Sequence, residues 1–251
     1  MNTHEIQSEK SGRNCQYLVV DQLPSHFRSY NVDKVFVRGL FFDESLALSQ
    51  YIGNMVTPNY TQLKAIYSDV IRGIEIDELE IVDFIVLVII SSIYTIDDFG
   101  WSPNVRCCHH DDEGNACSGI INDKILLDDF DFVDPAPLVQ SLPIPLKIDG
   151  VDIDVVPITV GGMVAKEAYQ EEHPEVNKKL VNLASIIKST DYPSLDDKIN
   201  FIKFCRSKDL KDLQMIDSEI HIRLNPIEKK CPVCKKVNKL NIGLTKIRSY
   251  P

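Results

Sequence analysis

The chain has 251 residues, 44% of them hydrophobic and 25% charged, which is enough apolar material for one large or two small domains with a sizeable core. Its formal net charge of −10 speaks against binding polyanions over its whole surface, since nucleic acid and anionic membranes are repelled unless basic residues are segregated. The seven cysteines are odd in number and clustered, which fits metal ligation and free thiols in a reducing cytoplasm better than a disulfide framework.

Residues 1–22 open with the polar stretch Met1 to Gly12, which shows no signal-peptide pattern and reads as a flexible N-terminal tail. Leu23-Pro24-Ser25 leads to the alternating segment Val35-Phe36-Val37 and then to a helix through Ala47 to Tyr51. Asp43 and Glu44 lie in the first turn of that helix, at the positive end of its dipole. Between Tyr60 and Arg72 the apolar residues Leu63, Ile66, Tyr67 and Val70 follow the i, i+3, i+4, i+7 pattern, which predicts an amphipathic helix. Ile81 to Tyr94 is rich in β-branched residues, but its fourteen residues without a turn signal favour a buried helix over a strand. Its apolar run, Phe84 to Ile90, is well short of the roughly 18 residues that a membrane span needs, so no membrane association is expected.

Pro135 to Pro145 has no helical pattern and is the expected linker between a first unit, 23–134, and a second unit, 135–251. The second unit repeats the order of the first. An offset of 118 maps Val35 to Ile153, Val37 to Val155, Leu40 to Ile158, Ala47 to Ala165 and Tyr51 to Tyr169. An offset of 117 maps Leu63, Ile66 and Val70 to Leu180, Leu183 and Ile187, and Cys117 to Cys234. Similarity at a fixed period is the mark of duplication. Helical periodicity continues over Lys178 to Lys188 and Leu195 to Cys205.

Two cysteine turns carry the chemistry. Cys231-Pro232-Val233-Cys234 supplies two thiolates from one tight turn, with His221-Ile222-Arg223-Leu224 before it and Leu240 to Leu244 after it as flanking strands. Upstream lie Cys107-Cys108-His109-His110 and Cys117, bracketed by Val105-Arg106 and by Ile120-Ile121 to Leu126-Leu127. Zinc takes four soft ligands in a tetrahedron, and neither turn can close such a site alone. The expected ligands are Cys117, Cys231 and Cys234, with Cys107 or Cys108 as the fourth and His109 or His110 as possible substitutes. Four protein ligands leave no position for a substrate, so the zinc would be structural. The expected fold is α+β: two pseudo-repeated strand-plus-helices units joined by zinc-ribbon-like cysteine hairpins. Residues 109–131 carry a net charge of −6 and residues 228–251 a net charge of +6, so the two hairpins should attract each other.

No nucleophile elbow, phosphate loop or dinucleotide fingerprint is present, and no enzymatic activity is expected. Gly161-Gly162 reads as a turn or a helix start. Asp97-Asp98, Asp111-Asp112 and Asp196-Asp197 are adjacent carboxylates that point apart and make poor catalytic pairs.

The order Leu23-Pro24-Ser25 to Tyr30, then Val35-Phe36-Val37-Arg38-Gly39-Leu40, then Asp43-Glu44, resembles the baseplate hub proteins of T-even-like contractile-tailed bacteriophages. So do the buried apolar stretch after Asp83, the following cysteine turn, and the terminal Cys-Pro-x-Cys with Asn238 to Leu244. The likeness runs from about Leu23 to Ser249, and the insertion between Cys108 and Cys117 departs from a simple Cys-x-x-Cys. It implies a structural or chaperone-like protein that helps assemble the central hub of the tail. The implied setting is the cytoplasm of the infected bacterial cell or the virion baseplate, and the implied partners are other baseplate or tail proteins. Partner contacts are expected at the helix starts, around Phe41, Phe42 and Met163. The alternative is a zinc-ribbon nucleic-acid-binding protein that uses its basic C-terminal knuckle. The chain charge and the shortage of aromatics among the lysines, with only Tyr250 nearby, weigh against it.

Overall fold

In the computed structural model the described residues are 3–8, 11–12, 14–53, 59–96, 105–111, 113–126, 129–133 and 142–240. The chain opens with strands β1 (Thr3–Gln7) and β2 (Asn14–Val20), paired antiparallel from Thr3 with Leu18 to Gln7 with Asn14. The flexible tail expected over residues 1–22 is therefore corrected to a hairpin. β1 is an almost wholly exposed edge strand, while β2 buries Tyr17, Leu18 and Val20. Such an edge holds by backbone pairing and carries little apolar alternation.

β3 (Val35–Val37) pairs with β2 and leads into helices α1 (Phe42–Gly53) and α2 (Tyr60–Tyr67). Asn59 and Gln62 form a capping box at the start of α2. The helix stops earlier than its periodicity predicts. Val70 N–H bonds to Tyr67 O at 3.0 Å, and Ile71–Arg72 becomes strand β4, which returns beside β3 to complete a β1-β2-β3-β4 sheet. After a 3₁₀ turn at Ile76–Glu78 comes α3 (Ile81–Ile96), helical as its length suggests. Its Phe84, Leu87, Val88 and Ile89 are buried, in keeping with a helix that is apolar on every side.

Short strands β5 (Val105–Arg106), β6 (Ile120–Ile121) and β7 (Phe132–Val133) follow. The second sheet is built from β8 (Ile144–Ile148) and β9 (Val151–Val155), then α4 (Val160–Glu172) and α5 (Lys178–Ser185), then β10 (Ile187–Lys188) returning beside β9. β8 begins within the expected linker, of which residues 135–141 lie outside the described residues. Helices α6 (Leu195–Phe204) and α7 (Lys211–Ile220) complete this half. β11 (Arg223–Leu224) pairs with β7, and β12 (Ile227–Lys230) with β13 (Val237–Leu240) closes the described chain.

Each half has its own apolar cluster, one around Val37, Tyr67 and Leu87, the other around Val155, Ala184 and Ile199. Backbone bonds join the halves: Val160 N–H to Leu79 O at 2.9 Å and Ile81 N–H to Ile158 O at 3.4 Å. Glu167 on α4 accepts the Tyr60 N–H at the head of α2 at 2.8 Å. Gly161 allows the close approach, because a Cβ there would lie 3.0 Å from Asp77 Cβ. Among the described residues no helix is long and apolar enough to cross a membrane.

Candidate metal centre

β5 and β6 carry the chain into and out of the acidic loop, pairing Val105 with Ile121 and Arg106 with Ile120. The ladder runs on past the strands, with Cys107 N–H bonding to Gly119 O and Cys117 N–H to His109 O, each at 2.9 Å. The second hairpin is β12–β13, in register from Ile227 with Leu240 to Lys230 with Val237. Its turn closes with Cys231 N–H bonding to Lys236 O at 2.9 Å and Lys235 in the left-handed region at φ 63°. The strand before Cys231 is thus not the expected 221–224, and the strand after Cys234 begins at Val237 and meets the expected 240–244 at Leu240. Arg223–Leu224 instead pairs with β7, and residues 241–244 lie outside the described residues.

The two hairpins share a small core of Ile121, Ile125, Ile227 and Leu240. This core brings four sulfurs together. The Sγ atoms of Cys107, Cys117, Cys231 and Cys234 all lie within 4.8 Å of one another. Cys107–Cys234 at 3.6 Å and Cys117–Cys231 at 3.7 Å both cross between hairpins. These are free thiols, since a disulfide would hold the sulfurs at about 2.05 Å. Cys107 and Cys231 are buried, and Cys117 and Cys234 are half-buried.

One local device recurs around three of the sulfurs. The N–H two residues further on points at the thiol: His109 to Cys107 at 3.5 Å, Gly119 to Cys117 at 3.4 Å, and Val233 to Cys231 at 3.4 Å. Such donors favour the thiolate. Gly119 also makes room, because any Cβ there would collide with Cys231 Sγ and come 3.3 Å from Cys117 Sγ. The sulfurs do not ionise alike. Burial opposes ionisation of Cys231, but the N–H groups of Cys234 and Val233 and the neighbouring thiols outweigh it and bring the group down to about 6. Cys234 moves up to about 11: the Lys236 N–H favours its thiolate, but burial and the adjacent sulfurs oppose a second charge. A divalent cation would remove that conflict and hold all four as thiolates.

Of the expected ligands, the structure brings in Cys107 and leaves Cys108 out. Cys108 is exposed; its N–H and Sγ both reach Asn238 Oδ1, at 3.0 and 3.3 Å. Adjacent residues at a strand end point to opposite sides, so only one of the pair can face the cluster. His109 does not substitute either, as its Nε2 lies 2.7 Å from Val237 O. His110 is held by a backbone bridge to Ala116 and is not in the cluster. The sequence marks Asn238 only as the start of the terminal strand and not as part of the site. It is buried, ties Cys108 to the second hairpin, and donates to Lys236 O at 3.1 Å. Its only sequence signal is its inward position in the β13 alternation.

Among the described residues the opposite charges meet at the ion pair of Lys229 Nζ with Asp129 at 2.8 Å, while Lys236 Nζ donates to His110 O at 3.2 Å. The Lys229 ammonium holds the Asp129 carboxyl below its ordinary range, although burial opposes this. Asp112, Asp128, Lys246 and Arg248 lie outside the described residues, as do Asp97 and Asp98. The helix-start residues stand apart from the cysteines. Phe42 is 80% exposed, while Phe41 is half-buried with the Arg38 guanidinium 3.9 Å from its ring centroid. Met163 is half-buried in the first turn of α4. The cysteine cluster can hold a soft metal ion with protein ligands alone; the ion itself is not identified by this geometry. Comparison with protein-family models, with curated proteins and with solved structures finds no match.

Proposed function

We propose that Cys107, Cys117, Cys231 and Cys234 hold one structural zinc ion in a zinc-ribbon-like pair of hairpins, and that the chain is a non-enzymatic assembly protein. The supporting observation is a cluster of four cysteine sulfurs built from two hairpins more than a hundred residues apart. Zinc–sulfur bonds of about 2.3 Å in a tetrahedron place sulfurs about 3.8 Å apart. The crossing pairs stand at 3.6 and 3.7 Å. Four thiolates fill the coordination shell, so zinc here would staple and not catalyse.

The matching order of elements supports a duplicated unit. In each half a strand leaves a hairpin, two helices follow, and a short strand returns beside the first, β4 beside β3 and β10 beside β9. The resemblance to phage baseplate hub proteins supplies the setting: other tail proteins as partners, in an infected bacterial cell. Elemental analysis should find about one zinc per chain, lost on replacing Cys234 with Ser. Co-purification with tail proteins from infected cells tests the assembly role. The nucleic-acid reading rests on the exposed Lys230, Lys235, Lys236 and Lys239 of the second hairpin. Salt-dependent retardation of DNA or RNA, lost on replacing these lysines, would favour it instead. Zinc content near zero in protein purified without chelator would sink both readings.

A further inference from the structure

We infer that the four-cysteine cluster, on meeting a peroxide, exchanges its metal for two disulfides that cross between the hairpins, Cys107 with Cys234 and Cys117 with Cys231. The inference rests on the metal reading and adds a redox regulation to it. The two crossing pairs hold their sulfurs at 3.6 and 3.7 Å. A disulfide holds them at about 2.05 Å, so each sulfur has less than ~1 Å to travel. Burial divides both pairs in the same way. Cys234 and Cys117 are half-buried, while their partners Cys107 and Cys231 are buried. One sulfur of each pair is open to a small oxidant and the other stands beside it. That arrangement captures a sulfenic acid as a disulfide before it oxidises further. Gly119 leaves the second pair unobstructed, because a Cβ there would collide with Cys231 Sγ and come 3.3 Å from Cys117 Sγ.

Pairing within the hairpins fits less well. The first ladder sets Cys107 opposite Gly119 and Cys117 opposite His109. Cys107 and Cys117 are therefore diagonal neighbours, and such neighbours stand about 7–8 Å apart, beyond the roughly 6.8 Å that a disulfide spans between Cα atoms. Joining Cys231 to Cys234 would leave those two without partners. In the crossing scheme the peroxide oxygen adds to the half-buried thiolate, giving a sulfenic acid and one hydroxide. The buried partner's thiolate then attacks the sulfenic sulfur. The S–O bond breaks, the S–S bond forms and a second hydroxide leaves. The two sulfurs lose two electrons to the peroxide, whose oxygens end as water after taking two protons from solvent. Two such steps use the four thiolates and about two peroxides per chain. Disulfide sulfurs carry no charge to hold a cation, so the ion leaves. The new bonds join residues 127 and 114 apart in the chain, so the hairpins stay tied once the ion has gone.

The test uses the full chain, purified under reducing conditions, as wild type and with Cys15→Ser, Cys108→Ser and Cys205→Ser combined. Those three cysteines lie outside the cluster, so the variant leaves only its four thiols. Zinc content is measured first. Hydrogen peroxide is then added in the presence of a chromophoric zinc chelator, with chelator alone as the control. The products are digested without reduction and mapped by mass spectrometry. About two peroxides per chain should release the zinc. The Cys107–Cys234 and Cys117–Cys231 peptides should appear together, and dithiothreitol with added zinc should reverse both changes. Zinc released with a Cys231–Cys234 bond, with bonds between chains, or with sulfinic and sulfonic acids in place of disulfides would overturn the exchange. So would zinc that stays bound under a large excess of peroxide. Absence of zinc before oxidation would instead sink the metal reading, and the exchange with it.

Discussion

The two sheets use the same backbone device and bury different side chains around it. After β3, Arg38 N–H bonds to Val70 O at 3.1 Å; after β9, Val156 N–H bonds to Ile186 O at 2.9 Å. In the first half Arg38 is buried and donates to both oxygens of Glu44, at 2.8 and 2.9 Å, and to Asp69 at 2.8 Å. Asp69 also accepts from Ser8 at 2.5 Å and pairs with Arg72, while its carbonyl takes the Tyr17 hydroxyl at 2.8 Å. In the second half Val156 stands at the matching place, and no charged residue among those described in 142–220 is buried. The arrangement of hairpin, helices and return strand therefore does not require buried charge. In the first half the ions tie the N-terminal hairpin to the helices, an arrangement that specifies one packing more than it adds net stability.

The largest expected effect would override this contrast. Cys234→Ser, or removal of metal, should destabilise both halves together by on the order of 5 kcal/mol or more, because metal binding becomes folding free energy. Thermal unfolding with hydrogen exchange in each sheet would read this. Protease sensitivity confined to the residues after α7 would show that the site does not couple the halves. Cys15→Ser and Cys205→Ser should leave metal content unchanged.

Next is the ion network itself. Arg38→Met takes the guanidinium away from the buried Glu44 and Asp69 carboxylates, leaving Asp69 with Arg72 and Ser8, and should cost about 3–5 kcal/mol. Val156→Ala, at the matching half-buried position, should cost about 1 kcal/mol or less. Replacing Arg38, Glu44 and Asp69 together by apolar residues should recover much of the loss. If chemical denaturation gave equal losses at 38 and 156, the two sheets would not differ in the way described.

A pH dependence should follow from a second buried acid of the first half. Asp83 accepts from Ser25 N–H at 3.0 Å, from the Tyr30 hydroxyl at 2.7 Å and from the Ser25 hydroxyl. Burial raises its pKa from 3.8 to about 6, outweighing these donors. The folded state then holds this proton more tightly than the unfolded chain. The contribution to stability is fully present below about pH 4 and lost as pH rises through about 6, a fall on the order of 3 kcal/mol. Asp83→Asn should abolish that fall in denaturation curves taken at pH 4.5, 6 and 7.5; an unchanged slope would assign it to another group. The smallest effect is expected at the surface, where Phe42→Ser should change stability by no more than about 0.5 kcal/mol. Loss of partner binding with that variant would mark the start of α1 as a contact, and unaltered binding would exclude it.

Local chemistry carried much of this fold into the sequence. The long apolar segment around Asp83 favoured a helix despite its β-branched residues, since a strand of that length without a turn would be exceptional. The thiolate turn at Cys231 and Cys234, and the need for partners from Cys107 or Cys108 and Cys117, followed from ligand number alone. Other features were less visible because their signals are shared or absent. The β1–β2 edge is polar and held by main-chain pairing. Ile71–Arg72 and Ile187–Lys188 continue the apolar pattern of the helices before them, and only their place beside β3 and β9 makes them strands.

Residue type and spacing thus pointed to helices α1 to α6, though not to α7, and to cysteines of two distant turns belonging together, because periodicity and coordination number are local rules. Only tertiary packing chose Cys107 over Cys108, turned Asn238 inward and buried Arg38 between two acids. Those choices depend on strand register and on which face meets a neighbour. A one-residue difference in register reverses every side chain of a strand, and nothing within a short window of sequence specifies it.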